Sequence, residues 1–345
     1  MKKLIVILFN LALSMYCWSQ GCVAIRNVAG ISPDLLFEKI QPNDKMIINI
    51  TNRYFEASST YIADKFITDS IVTNRIYTMD ISAVRLLPNG WSLGVSLPIA
   101  ANSRTNNRDH GGPQTPKHTT RSFGLGDIRL TAYKWLLDPT VTRKGNIQVG
   151  LGIKLPTGDF RYQDYFFRND STKVLAPVDQ AIQLGDGGTG ITAELSAYYL
   201  VTGKINLFIN GFYLLNPRDQ NGVSNLKGRN PTQAEITNNT TVMSVPDQYS
   251  LRGGVNVQVE KVAITANLLY EKVPANDLIG GNMGFRRAAS ITSVETRLVY
   301  KIKRTLIFAE MAIPFQRNII QNKQNNMTPA GFADYLFYFG VQFKI

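Results

Sequence analysis

Cysteine, histidine and long apolar runs are scarce in this chain, and each shortage excludes a class of protein. There are two cysteines in 345 residues. Cys17 falls in the leading apolar segment, so Cys22 stands alone once that segment is removed, and no intramolecular disulfide framework can form. Cys22 is read as a free thiol; lipidation after cleavage is the alternative, but Ser19 stands where an aliphatic residue is expected. The two histidines, His110 and His118, lie in one polar stretch, and nothing has metal-ligand spacing or the glycine pattern of a phosphate loop between strand and helix. Beyond residue 20 no apolar run approaches the roughly 18 to 20 residues that a spanning helix needs. Helical membrane proteins are thereby excluded, and 10% aromatics with a mean hydropathy of −0.09 exclude a disordered chain.

What is present begins with Lys2 and Lys3 ahead of an apolar run from Leu4 to Leu13 and small or polar residues at Ser19 and Gln20, the layout of a secretory signal over residues 1–20. Export argues against nucleic acid as the explanation for the formal net charge of +12, and the basic residues are not gathered on one stripe. Anionic membrane headgroups fit better as partner: outer-membrane lipid and lipopolysaccharide. Residues 21–44 lack alternation and are read as a lead segment, periplasmic or resting in a lumen.

From residue 45 to 345 the chain alternates with period two. In Phe123–Asp159, Ile147, Val149, Leu151, Ile153 and Leu155 share one face while Gln148, Gly150, Gly152 and Lys154 share the other, and Ile128, Leu130 and Ala132 oppose Asp127, Arg129 and Thr131. Similar segments recur through to Phe332–Ile345, separated by connections that are alternately short and long; Ala101–Arg121 is one of the long polar ones. The segment Thr60–Thr73 still looks strand-like, so the first hairpin is expected to project beyond a membrane. The count is about 12, within the range of transmembrane barrels. The expected fold is therefore all-β, a transmembrane antiparallel β-barrel with short periplasmic turns and long extracellular loops, in the outer membrane of a Gram-negative-type cell. Five prolines, Pro98, Pro156, Pro217, Pro274 and Pro314, are read as marking the outer rim, where ladder pairing stops. Tyr335, Phe337, Phe339, Val341, Phe343 and Ile345 share one parity, as in the terminal strand read by the barrel assembly machinery.

Facing follows from magnitude. A Lys or Arg on the lipid side at mid-bilayer costs roughly 2–4 kcal/mol. Charges within strands should therefore point inward, and the expected pore lining is Asp127, Arg129, Lys154, Glu194, Arg252, Glu271, Glu295, Arg297 and Glu310. Lys134 falls on the outward parity but can snorkel beside Trp135. Tyr77, Trp91, Tyr199, Tyr213, Tyr249, Tyr270 and Tyr300 suit interface girdles.

The stretch GLGDIRLTAYKWLL followed by GNIQVGLGIKLPTGD resembles the outer-membrane transporter family named for the MetA pathway of phenol degradation, and more loosely the hydrophobic-compound channels of the fatty-acid transporter type. The resemblance implies a barrel that passively passes a small-molecule solute, aromatic or hydrophobic, with no cofactor; it assigns no substrate residues. Two other readings stand beside it. One is a structural or partner-binding barrel without transport. The other is an outer-membrane hydrolase using a rim histidine, for which His110 and His118 beside Asp109, Ser103 and Thr119 are the only candidates.

Overall fold

A computed structural model of the chain describes residue 40 and residues 43–62, 65–112, 114–141, 144–169, 171–319 and 330–345. The readings placed on residues 1–20, on Cys22 and on the lead segment before Asp44 lie almost entirely outside them.

The alternation becomes a closed antiparallel barrel. Its wall is built from β1 (Met46–Ile62), β2 (Lys65–Leu86), β3 (Trp91–Asn106), β4 (His118–Leu125) with β5 (Arg129–Trp135), β6 (Gly145–Lys154), β9 (Gly190–Leu200), β10 (Ile205–Leu215), β13 (Gln248–Val259), β14 (Val262–Val273), β15 (Ala289–Ile302), β16 (Thr305–Ile319) and β18 (Tyr335–Lys344), preceded by the short β17 (Ala330–Gly331). With β4 and β5 stacked as one staff and β17 continuing β18, twelve strands close when β1 pairs with β18 from Ile47↔Lys344 to Glu56↔Tyr335. Closure removes the edges that an open sheet would expose, which a lipid environment requires.

Connections at one end are short. Pro88-Asn89-Gly90 is one, with Asn89 and Gly90 in the left-handed region at φ 59° and 73°. At the other end they are long and carry their own structure: the hairpin β7 (Gln163–Phe167) and β8 (Lys173–Pro177), the pair β11 (Gln220–Ser224) and β12 (Val242–Ser244), and between these two a short helix α1 (Gln233–Thr237), closed by a reciprocal Thr232–Glu235 capping box. β1 and β2 run to 17 and 22 residues and remain paired to Ile62↔Lys65, so the first hairpin projects as expected.

Side-chain parity follows the lipid rule. Leu151 is 65% exposed on the outer face, whereas Gln148 on the inner face is buried. Tyr213 stacks on Tyr249 at 5.7 Å, with Tyr270 beyond it at 6.3 Å, an outward aromatic row at the long-loop end. Lys134 lies 5.3 Å from the Trp91 ring and reaches Asn89 O, the expected snorkel.

Two expectations are corrected. The polar stretch Ala101–Arg121 is not a loop throughout: β3 continues to Asn106 and β4 begins at His118, paired from Ile99↔Leu125 to Asn106↔His118. These residues lack apolar alternation because this part of the wall faces packed loops and water rather than acyl chains. The proline rule also fails twice. Pro156, Pro217 and Pro274 do follow strand ends, but Pro98 lies inside β3 and Pro314 inside β16. Both sit where a ladder is interrupted. β3 changes partner around Pro98, from β5 below to β4 above, and Pro314 lies at a bulge opposite Ser293, past the last β16–β18 pair, Ala312↔Leu336. A residue without an N–H costs nothing where no acceptor is presented.

The interruption between β4 and β5 is closed by the Pro156-Thr157-Gly158-Asp159 turn. The Thr157 hydroxyl accepts from Ile128 N–H at 2.8 Å and donates to Gly126 C=O at 2.9 Å. Leu155 N–H donates to Ile128 C=O and Gly126 N–H to Pro98 C=O, each at 2.8 Å. The paired stretches that carry the family resemblance are thus an architectural joint, in which buried backbone groups at a strand break must find partners.

Candidate functional site

The interior divides into three levels. The roof is made by the connection leading into β9. Val178 and Ile182 are fully buried and pack with Phe55, Ile76, Ala312 and Leu336, inward residues of β1, β2, β16 and β18. Ile182 C=O accepts from Asn102 Nδ2 at 3.3 Å and from the Ser122 hydroxyl, on β3 and β4. Asp179 caps a single 3-10 turn, Gln180–Ile182, accepting from Ala181 N–H at 3.0 Å. A plug therefore crosses the lumen from within the chain.

Charges anchor the plug. Asp179 meets Arg287 Nη2 at 2.9 Å, Lys227 Nζ at 3.0 Å and Arg104 Nη2 at 3.6 Å. Asp109 shares Arg104 at 2.7 Å and Lys227 at 3.2 Å. Burial pushes both carboxyls up, but the surrounding cations outweigh it, Arg104 foremost, and hold both below the usual carboxylate range. Beside them His110 is buried, with Nδ1 accepting from Phe167 N–H at 3.0 Å, and His118 stacks on Phe167 at 4.2 Å. The two histidines join a loop to the β7–β8 hairpin, and burial lowers the His110 imidazole to about 4 against the opposing pull of Asp109.

Beneath the plug lies a cavity of about 150 Å³. Its apolar lining includes Phe55, Ile76, Leu184, Phe212 and Leu214, and its polar lining includes Arg53, Asp127, Arg129 and Lys154. Asp127 accepts from Gly158 N–H at 3.0 Å and Asp186 N–H at 3.2 Å, tying the joint to the plug, while Lys154 pairs with Asp127 at 3.5 Å and with Asp186. The Arg129 guanidinium lies 5.1 Å from the Phe212 ring and 3.7 Å from Glu194. Tyr133 donates to Glu194 at 3.2 Å. Its ring is accommodated because Gly150 and Gly94 flank it: a Cβ would come within 2.7 Å and 3.0 Å of it respectively.

The nine residues expected to line a pore therefore separate into two groups. Asp127, Arg129 and Lys154 border the cavity. Glu194 lies just behind, and Arg252, Glu271, Glu295, Arg297 and Glu310 point inward but mostly engage one another. Arg252 meets Glu295 at 2.8 Å and Glu310 at 3.5 Å, Arg297 meets Glu310 at 2.9 Å, and Asn267 bonds Glu295, with Glu271 buried nearby. This is the wall-filling arrangement in which opposite signs neutralise across strands.

The floor closes the short-turn end. Ile47, Val84 and Trp135 form a buried cluster, with Leu86 and Tyr198 packed against it, and the Trp135 and Tyr198 rings meet edge-on at 6.1 Å. These residues come from β1, β2, β5 and β9, so the cluster reaches into the lumen from the half of the wall between β1 and β9 and narrows it. Sequence reasoning did not identify the floor or the apolar cavity wall. The available signal was an aromatic on the polar parity, as at Phe55, Tyr133, Trp135 and Phe212. No comparable signal marks Asp179, Lys227 and Arg287, which lie in non-periodic connections.

Fold and interior together define a transmembrane barrel with a plug across its lumen, an aromatic constriction towards the short turns and a partly enclosed cavity between them. No family model matches the chain, and no curated protein is similar to it in sequence. In structure it is similar to an outer-membrane channel from Pseudomonas putida F1, with a TM-score of 0.63 at 12% identity over 92% of this chain and 100% of that one. Lower similarity extends to a Pseudomonas aeruginosa FadL homologue, with a TM-score of 0.45 at 10% identity over 94% of this chain and 99% of that one. The Ralstonia pickettii toluene transporter TbuX gives 0.42 at 10% identity over 96% and 99%. The first likeness shows that the fold is that of an outer-membrane barrel.

Proposed function

We propose that the protein is an outer-membrane channel for the passive passage of small aromatic or hydrophobic molecules, with the long loops outside and the short turns in the periplasm. The observation that carries this reading is the cavity. An apolar cavity of about 150 Å³ is large enough for one benzene ring, and here the apolar wall of Phe55, Leu184, Phe212 and Leu214 faces the polar groups Arg53, Asp127, Arg129 and Lys154. Such a site fits a single ring bearing a polar group better than a hydrated sugar, whose hydroxyls would meet apolar carbon on one side. A purely structural barrel has no need of a space of this kind. The sequence resemblance to the transporter family named for phenol degradation, and the similarity in fold to the Pseudomonas putida outer-membrane channel, point the same way. Asp127, Arg129 and Lys154 are the pore-lining residues placed to contact the solute.

The test is a swelling panel in proteoliposomes. It compares a pentose, a hexose and alanine with ring-bearing solutes that do not cross the bare bilayer, such as phenylalanine and benzenesulfonate. Faster swelling with the ring-bearing solutes is expected. Equal rates for hexose and ring would reject the solute class. Absence of both swelling and single-channel events would leave a structural or partner-binding barrel.

A further inference from the structure

The ion pairs between the roof and the rest of the molecule converge on one carboxylate. Asp179 is fully buried, and the three cations around it come from three separate parts of the chain: Arg104 from the wall strand β3, Lys227 from the connection between β11 and β12, and Arg287 from the connection ahead of β15. Asp109, from the loop between β3 and β4, binds two of the same cations. Arg104 is itself held to the wall by Asn74 of β2 at 3.0 Å. Next to Asp179, the Gln180 side-chain amide donates to Ser244 C=O at 3.1 Å and Phe285 C=O at 3.3 Å, so the backbone of β12 and of the connection ahead of β15 also holds a plug side chain. Arg168, at the end of β7, donates to Asp109 C=O and His110 C=O at 3.1 Å each and to Lys227 C=O.

In this cluster the two carboxylates face three cations, so neither sign can be removed without consequence. Without Asp179, Arg104, Lys227 and Arg287 would repel one another in a space closed to water, and only Asp109 would remain to neutralise them. The other contacts of Val178–Leu184 are apolar packing and single hydrogen bonds, and the ion pairs of Asp179 are the ones that tie it to three separate parts of the chain.

We propose that Asp179 is the latch of an outer gate: its ion pairs with Arg104, Lys227 and Arg287 hold the Val178–Leu184 plug across the lumen, and their release opens the cavity to the long-loop side. The functional meaning of this latch rests on the channel reading, but its existence can be tested without transport. Asp179 acts through the plug and touches no solute, so it is a positioning residue.

The test places a reporter thiol at Val178→Cys, fully buried behind the latch, in the full chain carrying Cys22→Ser. Alkylation by a membrane-impermeant maleimide is followed from the long-loop side of the reconstituted barrel. The latch predicts slow labelling in this background and an increase of about tenfold or more with Asp179→Asn, since loss of one partner leaves buried cations uncompensated. Asp179→Glu, which keeps the carboxylate, should restore much of the protection. Folding is monitored by the heat-sensitive gel mobility of the closed barrel. If Asp179→Asn does not assemble, the double variant Asp179→Asn/Arg287→Met relieves part of the repulsion and is expected to label fast as well. Unchanged labelling in a folded barrel lacking Asp179 would overturn the latch. Fast labelling without solute flux would leave the latch standing and remove the channel reading, whereas normal flux with unchanged labelling would do the reverse.

Discussion

If the floor is a real barrier, replacing Trp135 with alanine in a barrel whose roof is already released by Asp179→Asn should make the barrel leak. Trp135 is the centre of the floor cluster: it packs with Ile47 and Val84 of β1 and β2 and meets Tyr198 of β9 edge-on, and only 4% of it is exposed. Trp91, one strand away on the lipid face, is 48% exposed. A buried tryptophan covers on the order of 150–250 Å² of surface, and a void of only about 10–15 Å³ already admits a water. Truncation therefore opens a hydrated passage several waters wide where an apolar constriction excluded ions by dewetting. The folding cost should be about 3–5 kcal/mol, by analogy with Trp→Ala in soluble cores, so the variant is compared in barrels first shown to be folded. Planar-bilayer recordings at fixed salt are the assay. Ionic conductance in the Asp179→Asn/Trp135→Ala barrel is expected to exceed that of Asp179→Asn severalfold, with Asp179→Asn/Trp135→Phe intermediate. Equal conductance in folded Asp179→Asn and Asp179→Asn/Trp135→Ala barrels would mean that ions bypass the floor, and the three-level description of the interior would fail.

Two further predictions concern the interior charges and the outer loops. Glu310→Gln leaves Arg252 and Arg297 without a carboxylate they share and should destabilise the barrel by about 3–5 kcal/mol; urea unfolding in lipid should show Glu310→Gln/Arg297→Gln recovering part of the loss, and equal stability of single and double variants would refute the pairing. His110 supplies a pH dependence: its imidazole is lowered to about 4 by burial, while the unfolded or released loop titrates near 6.5. The released loop binds the extra proton between these values, so the contribution of His110 to loop closure is present above about pH 6.5 and is lost as pH falls towards 4. Protonation occurs at Nδ1, where Phe167 N–H now donates. Hydrogen-exchange protection of Phe167 should therefore fall across that window in the parent and stay flat in His110→Asn; parallel curves would refute the assignment.

The wall was legible in the sequence because bilayer and water impose a strict period of two. Ile147 to Lys154 could be assigned faces residue by residue, and the charges of Glu295, Arg297 and Glu310 fixed the harder strands, since outward placement would cost several kcal/mol each. The rule lost force wherever lipid does not touch the strand. At Ala101–Asn106 and His118–Arg121 both faces can be polar, so strand and loop look alike. Prolines failed for a related reason: a missing N–H marks any gap in a ladder, and a gap at Pro98 or Pro314 is as acceptable as a rim. The roof was least legible. Asp179, Lys227 and Arg287 are brought together by tertiary folding of connections with no periodicity, and each looks alone like an ordinary solvated charge.

Barrel width explains why the cavity lies where it does. Eight strands give an interior that wall side chains just fill, and sixteen or more leave water. Twelve strands lie between, so the filling depends on which side chains point inward at each level. At the floor the inward residues are large: Tyr133, Trp135, Tyr198, Phe208 and Phe308 come from strands around much of the circumference, and they reach across. Higher up, Thr78, Pro98, Ala100, Gly126 and Thr192 are small, and the gap they leave cannot be closed by wall side chains alone. The chain fills the upper part of that gap with its own backbone, at Val178–Leu184, and secures it with charges because a short segment has too little apolar surface to hold itself there. The cavity is the remainder between aromatic floor and inserted roof. Its volume is therefore set by side-chain size on the wall, whereas access to it is set by two separable elements, one apolar and one ionic.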